Sequence, residues 1–278
     1  MSNSEPVWFV TGASKGIGLE TARAALDAGA RLVATSRDAD RLRSQIGAPE
    51  DRFLAVSMSL TDPADISRAV STAVEAFGRI DVLVNNAGYS MLGAVEEFNR
   101  DEIRQNFDVN VFGLLEVTQQ VLPHMRRQGS GHVINIASIS ADVTGPATGL
   151  YSATKAAVLM LTEALAAETA PLGIHATAVC PGGVRTDFLD SSSSRQPAEE
   201  IAEYAIVRTA LHRYAELNHQ QGGDPRLVAQ ALITLSQMQQ PPTRLYLGKD
   251  ALYAIDHKAR SVLDDARRHQ ALSASIDR

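Results

Sequence analysis

Apolar residues along the chain fall into two kinds of segment, short continuous runs and longer periodic stretches. Seven short runs are apolar at consecutive positions and rich in β-branched residues, which is typical of strands buried on both faces of a parallel sheet. They cover residues 7–10, 32–35, 53–56, 82–84, 133–136, 176–179 and 245–247. Helical patterns lie between them, beginning with residues 17–29, where Gly29 is the expected stop.

The regular alternation of strand and helix predicts an α/β fold. Because a parallel sheet is covered by helices on both faces, we expect a Rossmann-like, doubly wound, seven-stranded parallel sheet. We expect a single dinucleotide-binding and catalytic domain spanning residues 1–278. Within it we expect a substrate lid at about 187–222 and a C-terminal helical tail at about 250–278.

Two predicted helices, at roughly 99–127 and 150–171, are apolar over more than one stripe. A helix that is apolar on several sides must be covered on several sides, and the sheet can cover only one of them. We therefore predict that the second side meets the same helices of another copy in a homodimer. The alternative is a wider core within one chain.

Composition excludes several classes of function. The formal net charge of -6 argues against nucleic-acid binding, and the single cysteine, Cys180, excludes both a disulfide framework and a thiolate metal cluster. The first six residues lack the pattern of a secretory signal, and no apolar stretch is long enough for a membrane helix. We expect a cytoplasmic protein with no bound metal and no membrane or nucleic-acid partner.

A glycine-rich segment joins the first predicted strand to the first predicted helix, and it reads Thr-Gly-Ala-Ser-Lys-Gly-Ile-Gly from Thr11 to Gly18. Glycines at such a junction let the backbone approach a pyrophosphate, whose charge is favoured by the unpaired N–H groups of a helix start. The alternative is a tight strand-to-helix junction without a ligand, which three glycines alone do not exclude.

This segment resembles the TGxxxGxG cofactor loop of the short-chain dehydrogenase/reductase family. Asn85-Asn86-Ala87-Gly88 matches the NNAG motif of that family, and residues 181–186 resemble its PGxVxT stretch, which holds the nicotinamide amide. The family often has Asp after the third strand, where this chain has Ser59-Leu60. The resemblance implies a nicotinamide cofactor held by Gly12, Ser14, Lys15, Gly16, Ile17, Gly18, Ser36, Arg37, Ser59, Leu60, Asn86, Ala87, Gly88, Tyr151, Lys155, Pro181, Gly182, Val184 and Thr186.

The end of the second predicted strand bears on which cofactor is used. Family members that use NAD usually have an acidic residue there, which would repel a 2′-phosphate, but this chain has Ser36 followed by Arg37. Lys15 lies where NADP-preferring relatives have a second cation. The resemblance implies NADP(H) as the preferred cofactor, with NAD(H) as the alternative because Asp38 and Asp40 follow closely.

Tyr151 and Lys155 are four positions apart on a predicted helix, so their side chains share one face. An ordinary tyrosine, with a pKa of about 10, is roughly 4 kcal/mol from ionising at pH 7. A positive charge about 4 Å away, at an effective dielectric of about 20, supplies a comparable free energy. We predict that Lys155 makes the phenol of Tyr151 able to exchange a proton with the substrate oxygen.

Two further residues complete a catalytic group by resemblance to the family. Ser138 ends the fifth predicted strand thirteen positions before Tyr151, which is the spacing of the family's catalytic serine and tyrosine. Its hydroxyl is expected to hydrogen-bond the substrate oxygen. Asn110 matches the fourth catalytic residue of the family, which holds a water molecule that relays protons from the lysine. The alternative for Asn110 is a hydrogen bond to a neighbouring backbone group.

The predicted lid carries an apolar stripe at helical spacing, formed by Ile201, Tyr204, Val207, Leu211 and Tyr214. Such a stripe either covers an apolar substrate or packs against the body of the protein. The chain resembles the hydroxysteroid and retinol dehydrogenase-like branch of the family, which implies an apolar ketone or alcohol as the substrate. The tail carries a second stripe of Leu252, Ile255, Ala259, Val262 and Ala266, which could block a second interface and favours a dimer over a tetramer.

These observations predict an NADP(H)-dependent oxidoreductase. It would transfer a hydride between nicotinamide and a small-molecule ketone, aldehyde or secondary alcohol. A non-enzymatic dinucleotide-binding regulator with the same fold is the first alternative, and the presence of all four catalytic residues argues against it. A nucleotide-dependent lyase or epimerase is the second, and the short lid argues against that.

Overall fold

The structure, a computed structural model, describes residues 5–277. Most of the segment that lacked a signal pattern, residues 1–4, and the last residue of the predicted tail lie outside the described range. The strands are β1 (Val7–Val10), β2 (Arg31–Ser36), β3 (Phe53–Ser57), β4 (Val82–Asn85), β5 (Ser90–Met91), β6 (Gly131–Ile136), β7 (Ile174–Pro181), β8 (Ser194–Arg195) and β9 (Arg244–Leu247). The helices are α1 (Gly16–Asp27), α2 (Ala39–Ile46), α3 (Pro63–Phe77), α4 (Arg100–Phe107), α5 (Leu114–Gln128), α6 (Gly149–Thr169), α7 (Ala205–Leu217), α8 (Pro225–Ser236), α9 (Lys249–Arg268) and α10 (Gln270–Ser273).

All seven predicted strands are present in one parallel sheet, in the order β3-β2-β1-β4-β6-β7-β9. The prediction of a Rossmann-like fold is therefore confirmed. The order reverses between β1 and β4, and such a reversal opens a ligand-binding crevice at the carboxyl edge of a parallel sheet. The segments that follow β1, β4, β6 and β7 meet at this edge.

Helices cover both faces of the sheet, as the continuous apolar runs of the strands require. Trp8 and Val10 of β1 pack on one face with residues of α1, α2 and α8, whereas Phe9 packs on the other face with residues of α3 and α5. Val158 and Leu159 of α6 pack beside α5 against β7. Neighbouring residues of one strand thus contribute to two separate layers of the core.

The helix predicted at 99–127 is not continuous. Asn99 caps the start of α4, and a π-helical segment, Asp108–Gly113, separates α4 from α5. Gly113 packs so closely against the backbone of Leu60 that a Cβ would lie 2.6 Å from its carbonyl oxygen. The wider π turn and this close approach shift the helix in a way that a 3.6-residue pattern does not show. The prediction at 150–171 corresponds to α6 and a following 3₁₀ turn, Ala170–Leu172.

The apolar stripes of these helices divide between core and surface. Five of their residues are buried inside the chain, namely Val111, Leu114, Val117, Val158 and Leu159. Met160 and Leu161 are exposed, and so is Phe112, which lies beside the first stripe next to Val111. A wider internal core thus accounts for much of the pattern, and the homodimer stays a prediction for the exposed remainder.

The predicted lid and tail differ in how they pack. The stripe on α7 lies against the body, where Val207 forms a buried cluster with Ala94 and Ala147. The lid stripe is therefore committed to packing within the chain. In the tail, α9 begins against β9, but Ala251 is its only buried residue within the described chain.

Candidate active site

The glycine-rich loop after β1 is built for close backbone approach. Gly12 and Gly16 have φ angles of 66° and 58°, which side chains rarely tolerate. A Cβ on Gly12 would lie 2.7 Å from the Cα of Ala87, and one on Gly18 would collide with the Asn86 side chain. Within residues 5–277, no side chain caps the start of α1, and its first turn contains no acidic residue. These free N–H groups form an anion-binding position that fits a pyrophosphate.

The segment after β4 locks this loop in place. The Asn86 side-chain amide donates hydrogen bonds of 3.0 Å to the carbonyl oxygens of both Thr11 and Gly12. The backbone N–H groups of Asn86 and Ala87 donate to the Thr11 hydroxyl. Asn85 instead points into the sheet, where its amide donates to Asn135 at 2.9 Å. The motif therefore joins the cofactor loop to the neighbouring strands.

Three cations lie near one another beside the end of β2. Burial lowers the pKa of Lys15; the carboxylates of Asp187 and Asp190 oppose this shift, and the charges of Arg37 and Arg41 add to it. The Lys15 ammonium donates a 2.6 Å hydrogen bond to Ser192 of the lid. Ser36 is turned inward, and its hydroxyl donates to the Asp38 carbonyl oxygen at 2.6 Å. Arg41 was not predicted from the sequence; its position early in α2, one turn beyond Arg37, was the available signal.

Ser59 and Leu60 follow β3, and both contact neighbouring parts of the chain. The Ser59 N–H donates to Asp65 at 3.0 Å, and its hydroxyl lies 3.0 Å from the Thr61 hydroxyl. Leu60 packs against Gly113, as described above. Both residues follow β3 at the carboxyl edge of the sheet, and their contact with the adenine stays a prediction.

The loop after β7 faces the glycine-rich loop across the crevice. A Cβ on Gly16 would lie 3.4 Å from the Thr186 side chain. The Gly182 N–H donates to the Leu247 carbonyl oxygen at 2.9 Å, and the Gly183 N–H donates to the Asp250 carboxylate at 2.7 Å. Asp250, at the start of α9, was missed by sequence reasoning. It packs so tightly against Gly182 that a side chain there would collide with the carboxylate.

Tyr151 and Lys155 lie on one face of α6 and are buried, with 7% and 4% of their surfaces exposed. The Lys155 ammonium lies 5.9 Å from the centre of the Tyr151 ring and donates a 2.7 Å hydrogen bond to the Ile136 carbonyl oxygen. Burial lowers the pKa of Lys155 to about 8. Burial also raises the pKa of Tyr151, and a hydrogen bond with Ser138 opposes that rise.

Burial is thus the larger influence on the phenol in this structure, and it keeps the proton on Tyr151. The ring of Phe188 contributes to this burial, because its centre lies 5.7 Å from the centre of the Tyr151 ring. The acidifying effect of Lys155 stays a prediction. Phe188 was not predicted as a site residue, and its place two residues after Thr186 was the only signal.

Ser138 and Asn110 lie beside this pair. Ser138 follows β6 in an extended conformation, and its hydroxyl accepts a 3.0 Å hydrogen bond from the Ser140 N–H. The Asn110 amide donates to the Tyr89 carbonyl oxygen at 2.9 Å and to the Thr154 hydroxyl at 3.1 Å. Its side-chain oxygen accepts from the Tyr89 N–H at 3.0 Å. The Asn110 side chain therefore finds its hydrogen-bond partners within the protein. This agrees with the alternative stated for it, a hydrogen bond to a neighbouring backbone group.

Gly88, the last residue of the NNAG segment, lies close to two of the predicted catalytic residues, Asn110 and Lys155. A Cβ on Gly88 would lie 3.1 Å from the side-chain oxygen of Asn110 and 3.7 Å from the Lys155 ammonium nitrogen. Cys180 is buried nearby at the end of β7, and burial raises its pKa to about 12, so it is no nucleophile. The crevice thus brings a proton donor, a cation and an anion-binding loop together.

The lid is fastened over this edge of the sheet by a buried ion pair that sequence reasoning missed. Arg208 of α7 bonds both carboxylate oxygens of Glu97, whose side chain is fully buried. The same carboxylate accepts hydrogen bonds from the N–H groups of Ala94 at 2.7 Å and Ile201 at 2.9 Å.

Among the described residues, no helix is long and apolar enough to cross a membrane.

Comparison with known proteins identifies the class to which this site belongs. Residues 6–197 match the family model of the short chain dehydrogenases. The oxidoreductase BOA17 of Botryotinia fuckeliana is 34% identical over 274 residues, which cover 97% of this chain and 99% of that protein. The chain belongs to the short-chain dehydrogenase family.

Solved structures support the same assignment. A crystal structure of a short-chain dehydrogenase from Streptomyces avermitilis superposes with a TM-score of 0.91 at 36% identity and covers 100% of both chains. A 3-ketoacyl-(acyl-carrier-protein) reductase from Brucella melitensis, complexed with NADH, gives a TM-score of 0.72 at 28% identity, covering 87% of this chain and 96% of that one. The protein is an oxidoreductase that depends on a nicotinamide dinucleotide.

Proposed function

We propose that residues 1–278 form one catalytic domain that transfers a hydride between NADP(H) and an apolar ketone, aldehyde or secondary alcohol. The observation that carries the proposal is the burial of Tyr151 and Lys155 on one face of α6, with Ser138 bonded to the phenol. The three side chains lie at the carboxyl edge of the sheet, beside a glycine-rich loop in which a Cβ at Gly12 or Gly18 would collide with its neighbours.

The residues of the crevice fit a nicotinamide dinucleotide. The glycine-rich loop and the start of α1 would hold its pyrophosphate, and Thr186 would hold the nicotinamide amide. The bound cofactor supplies or accepts the hydride. Gly182 and Gly183 are tied to Leu247 and Asp250, so the loop that carries Thr186 is fixed before the cofactor arrives.

The protein's own contribution to the reaction is a proton transfer at the Tyr151 hydroxyl. Because burial keeps the phenol protonated, Tyr151 donates its proton to the substrate oxygen during reduction. Ser138 hydrogen-bonds the same oxygen and stabilises the charge that develops on it. Lys155, whose ammonium lies 5.9 Å from the centre of the Tyr151 ring, would stabilise the phenolate that remains. The Asn110 side chain is already bonded to Tyr89 and Thr154, so its role would be to hold the segment beside Lys155 in place.

The preference for NADP(H) rests on charge at the end of β2. Ser36 replaces an acid, and its hydroxyl is occupied by Asp38. Arg37 and Arg41 lie close enough to Lys15 for their charges to lower its pKa, and cations grouped in this way favour a phosphate group; the carboxylates of Asp187 and Asp190 also lie near Lys15 and oppose this effect. Lys15 would exchange its hydrogen bond with Ser192 for one with the 2′-phosphate.

The cofactor preference is tested with Arg37→Asp. We expect the ratio of kcat/KM for NADPH to that for NADH to fall by at least about tenfold, because a charge-assisted bond is lost and a repulsive charge is added. Arg126→Asp is the matched control, because Arg126 is exposed near the end of α5, at the opposite edge of the sheet. A ratio unchanged by Arg37→Asp contradicts the preference.

The proposal of an apolar substrate rests on what surrounds Tyr151. Phe188 lies over its ring, and the lid is held down by the pair of Glu97 and Arg208. We expect larger apolar ketones to give higher kcat/KM than small polar ones in a panel followed by loss of NADPH fluorescence. The reverse order would contradict this part of the proposal.

A homodimer through α5, with the π-helical segment before it, and α6 is part of the same proposal. It is supported by the exposure of Phe112, Met160 and Leu161. Phe112→Asp combined with Met160→Asp should lower the molar mass in solution by one step of association, and an unchanged mass would count against this interface.

A cytoplasmic location is proposed from the buried free thiol of Cys180, and cell fractionation tests it.

A further inference from the structure

The tail helix α9 leaves the body of the protein with its apolar face uncovered. It spans 20 residues, or about 30 Å, and from residue 256 to its end every residue is exposed. Val262 and Leu263 are 51% and 54% exposed, and Leu252 is also exposed. The fully exposed part, residues 256–268, is 13 residues long. An isolated helix of about that length is marginally stable in water, and helices in proteins gain most of their stability from packing of an apolar face.

The uncovered face has the spacing of a coiled-coil seam. Its residues alternate three and four positions apart, which places Leu252, Ile255, Ala259, Val262 and Ala266 at successive a and d positions. Leu263 lies beside them at position e. The alanines at two a positions leave room for close approach of a second helix. A seam of this kind fits another helix better than a flat or irregular surface.

The charges beside the seam favour a second copy of the same helix in antiparallel orientation. Lys258 and Asp265 occupy successive g positions. In an antiparallel pair, g positions face each other, so Lys258 would face the partner subunit's Asp265, and the same pair would form again across the two-fold axis. In a parallel pair, g faces e, and Lys258 would meet the partner's Leu263 instead.

The overall charge of the helix also argues against a membrane surface as the occupant. Residues 249–268 contain five basic and four acidic side chains. Helices that lie on membranes are rich in Lys and Arg on their polar face, whereas this helix is nearly neutral. Ion pairs already link Arg260 to Asp256, Arg267 to Asp264 and Arg268 to Asp265 within the helix. The Asp265 side chain stays 61% exposed and can accept a second cation.

We propose that α9 is a self-association surface, which pairs antiparallel with α9 of a second copy of this chain through the seam from Leu252 to Ala266. This contact is separate from the one proposed for α5 and α6. If both form, two dimeric contacts per chain generate a tetramer. The proposal also changes the expectation that the tail blocks a second interface, because here the tail supplies that interface.

The seam is tested by sedimentation equilibrium of the full chain at micromolar concentration. Val262→Asp combined with Leu263→Asp should lower the molar mass by one step, from tetramer to dimer or from dimer to monomer. We expect the dissociation constant of that step to rise at least about a hundredfold, because two charges would enter an apolar contact. Neither side chain is buried in its own chain, so the fold should be kept, and the thermal melt checks this.

The matched control is His257→Asp combined with Ser261→Asp, which adds the same charge to the opposite side of α9 and should leave the mass unchanged. An unchanged mass in the seam variant would overturn the proposal, and so would an equal loss in the control. A monomeric wild-type chain that sediments with phosphatidylserine vesicles through Val262 and Leu263 would also overturn it. The α5 and α6 variants report separately on the other contact.

The orientation is tested by exchanging charges. Lys258→Asp and Asp265→Lys should each weaken the association about tenfold, because each places like charges together at two symmetric positions. The double variant restores opposite charges only in the antiparallel register and should recover the wild-type dissociation constant. A double variant as weak as the single variants would refute the antiparallel pairing.

Discussion

Replacing Lys155 by methionine should abolish turnover and at the same time stabilise the protein at neutral pH. Lys155 is 4% exposed, and burial lowers its pKa from 10.5 to about 8. Keeping that amine charged at pH 7 therefore costs the folded state about 3 kcal/mol. Methionine has a similar length and removes this cost, but it leaves the Ile136 carbonyl oxygen without its 2.7 Å partner, a loss of about 1 kcal/mol.

The net gain of about 2 kcal/mol should depend on pH in a defined direction. Above pH 8 the buried amine of the wild type loses its proton while the unfolded chain keeps it up to about pH 10.5, so wild-type stability rises through this window. The variant lacks this rise. Its advantage should therefore fall by about 2 kcal/mol between pH 7 and pH 9.5.

Urea unfolding at the two pH values measures this difference. Lys249→Met is the matched control, because Lys249 is exposed at the start of α9, and it should show no such pH-dependent gain. A Lys155 variant that is less stable than the wild type at pH 7, or whose advantage grows with pH, would refute the argument that the active site keeps a charged amine at the expense of stability.

Two further predictions concern the cofactor loop and the lid. Gly18→Ala would force the Asn86 side chain away from the loop and should raise the Kd for the cofactor at least about tenfold in a fluorescence titration. Gly145→Ala is the control, because a Cβ there would meet open space, and it should leave the Kd unchanged. Equal Kd values for the two variants would contradict the close approach of Gly18 to Asn86. Arg208→Met should leave the Glu97 carboxylate buried without its cation and lower the Tm by roughly 5 °C. Adding Glu97→Gln removes the unpaired charge and should restore part of the Tm. An unchanged Tm in Arg208→Met would show that the pair does not anchor the lid.

The fold was accessible from the sequence because its signals are local and repeated. Each strand of the main sheet is apolar at successive positions, as Trp8, Phe9 and Val10 illustrate by packing into two separate core layers. The break between α4 and α5 was not accessible, because the close packing of Gly113 on Leu60 joins segments more than fifty residues apart. A pattern read along one segment contains no information on such a contact.

The residues of the candidate site likewise fall into two groups, those that a local pattern predicts and those that only the fold brings together. Tyr151 and Lys155 were found because residues four apart on a helix share a face, and this holds in α6. Arg208 and Glu97 are far apart in the chain and become partners only when the lid folds over the body. The hydrogen bond from Lys15 to Ser192 likewise depends on the lid. The sequence alone therefore indicated a phosphate as the partner of Lys15 and did not indicate Ser192.

We infer that the Tyr151 hydroxyl exchanges the proton that accompanies hydride transfer, and Tyr151→Phe removes that hydroxyl while keeping the ring. NADPH binding by fluorescence titration and turnover with a reducible ketone are measured on the same preparation. We predict a cofactor Kd within about twofold of wild type and a kcat lowered by roughly 10²- to 10⁴-fold. Wild-type turnover in the phenylalanine variant would contradict the claim.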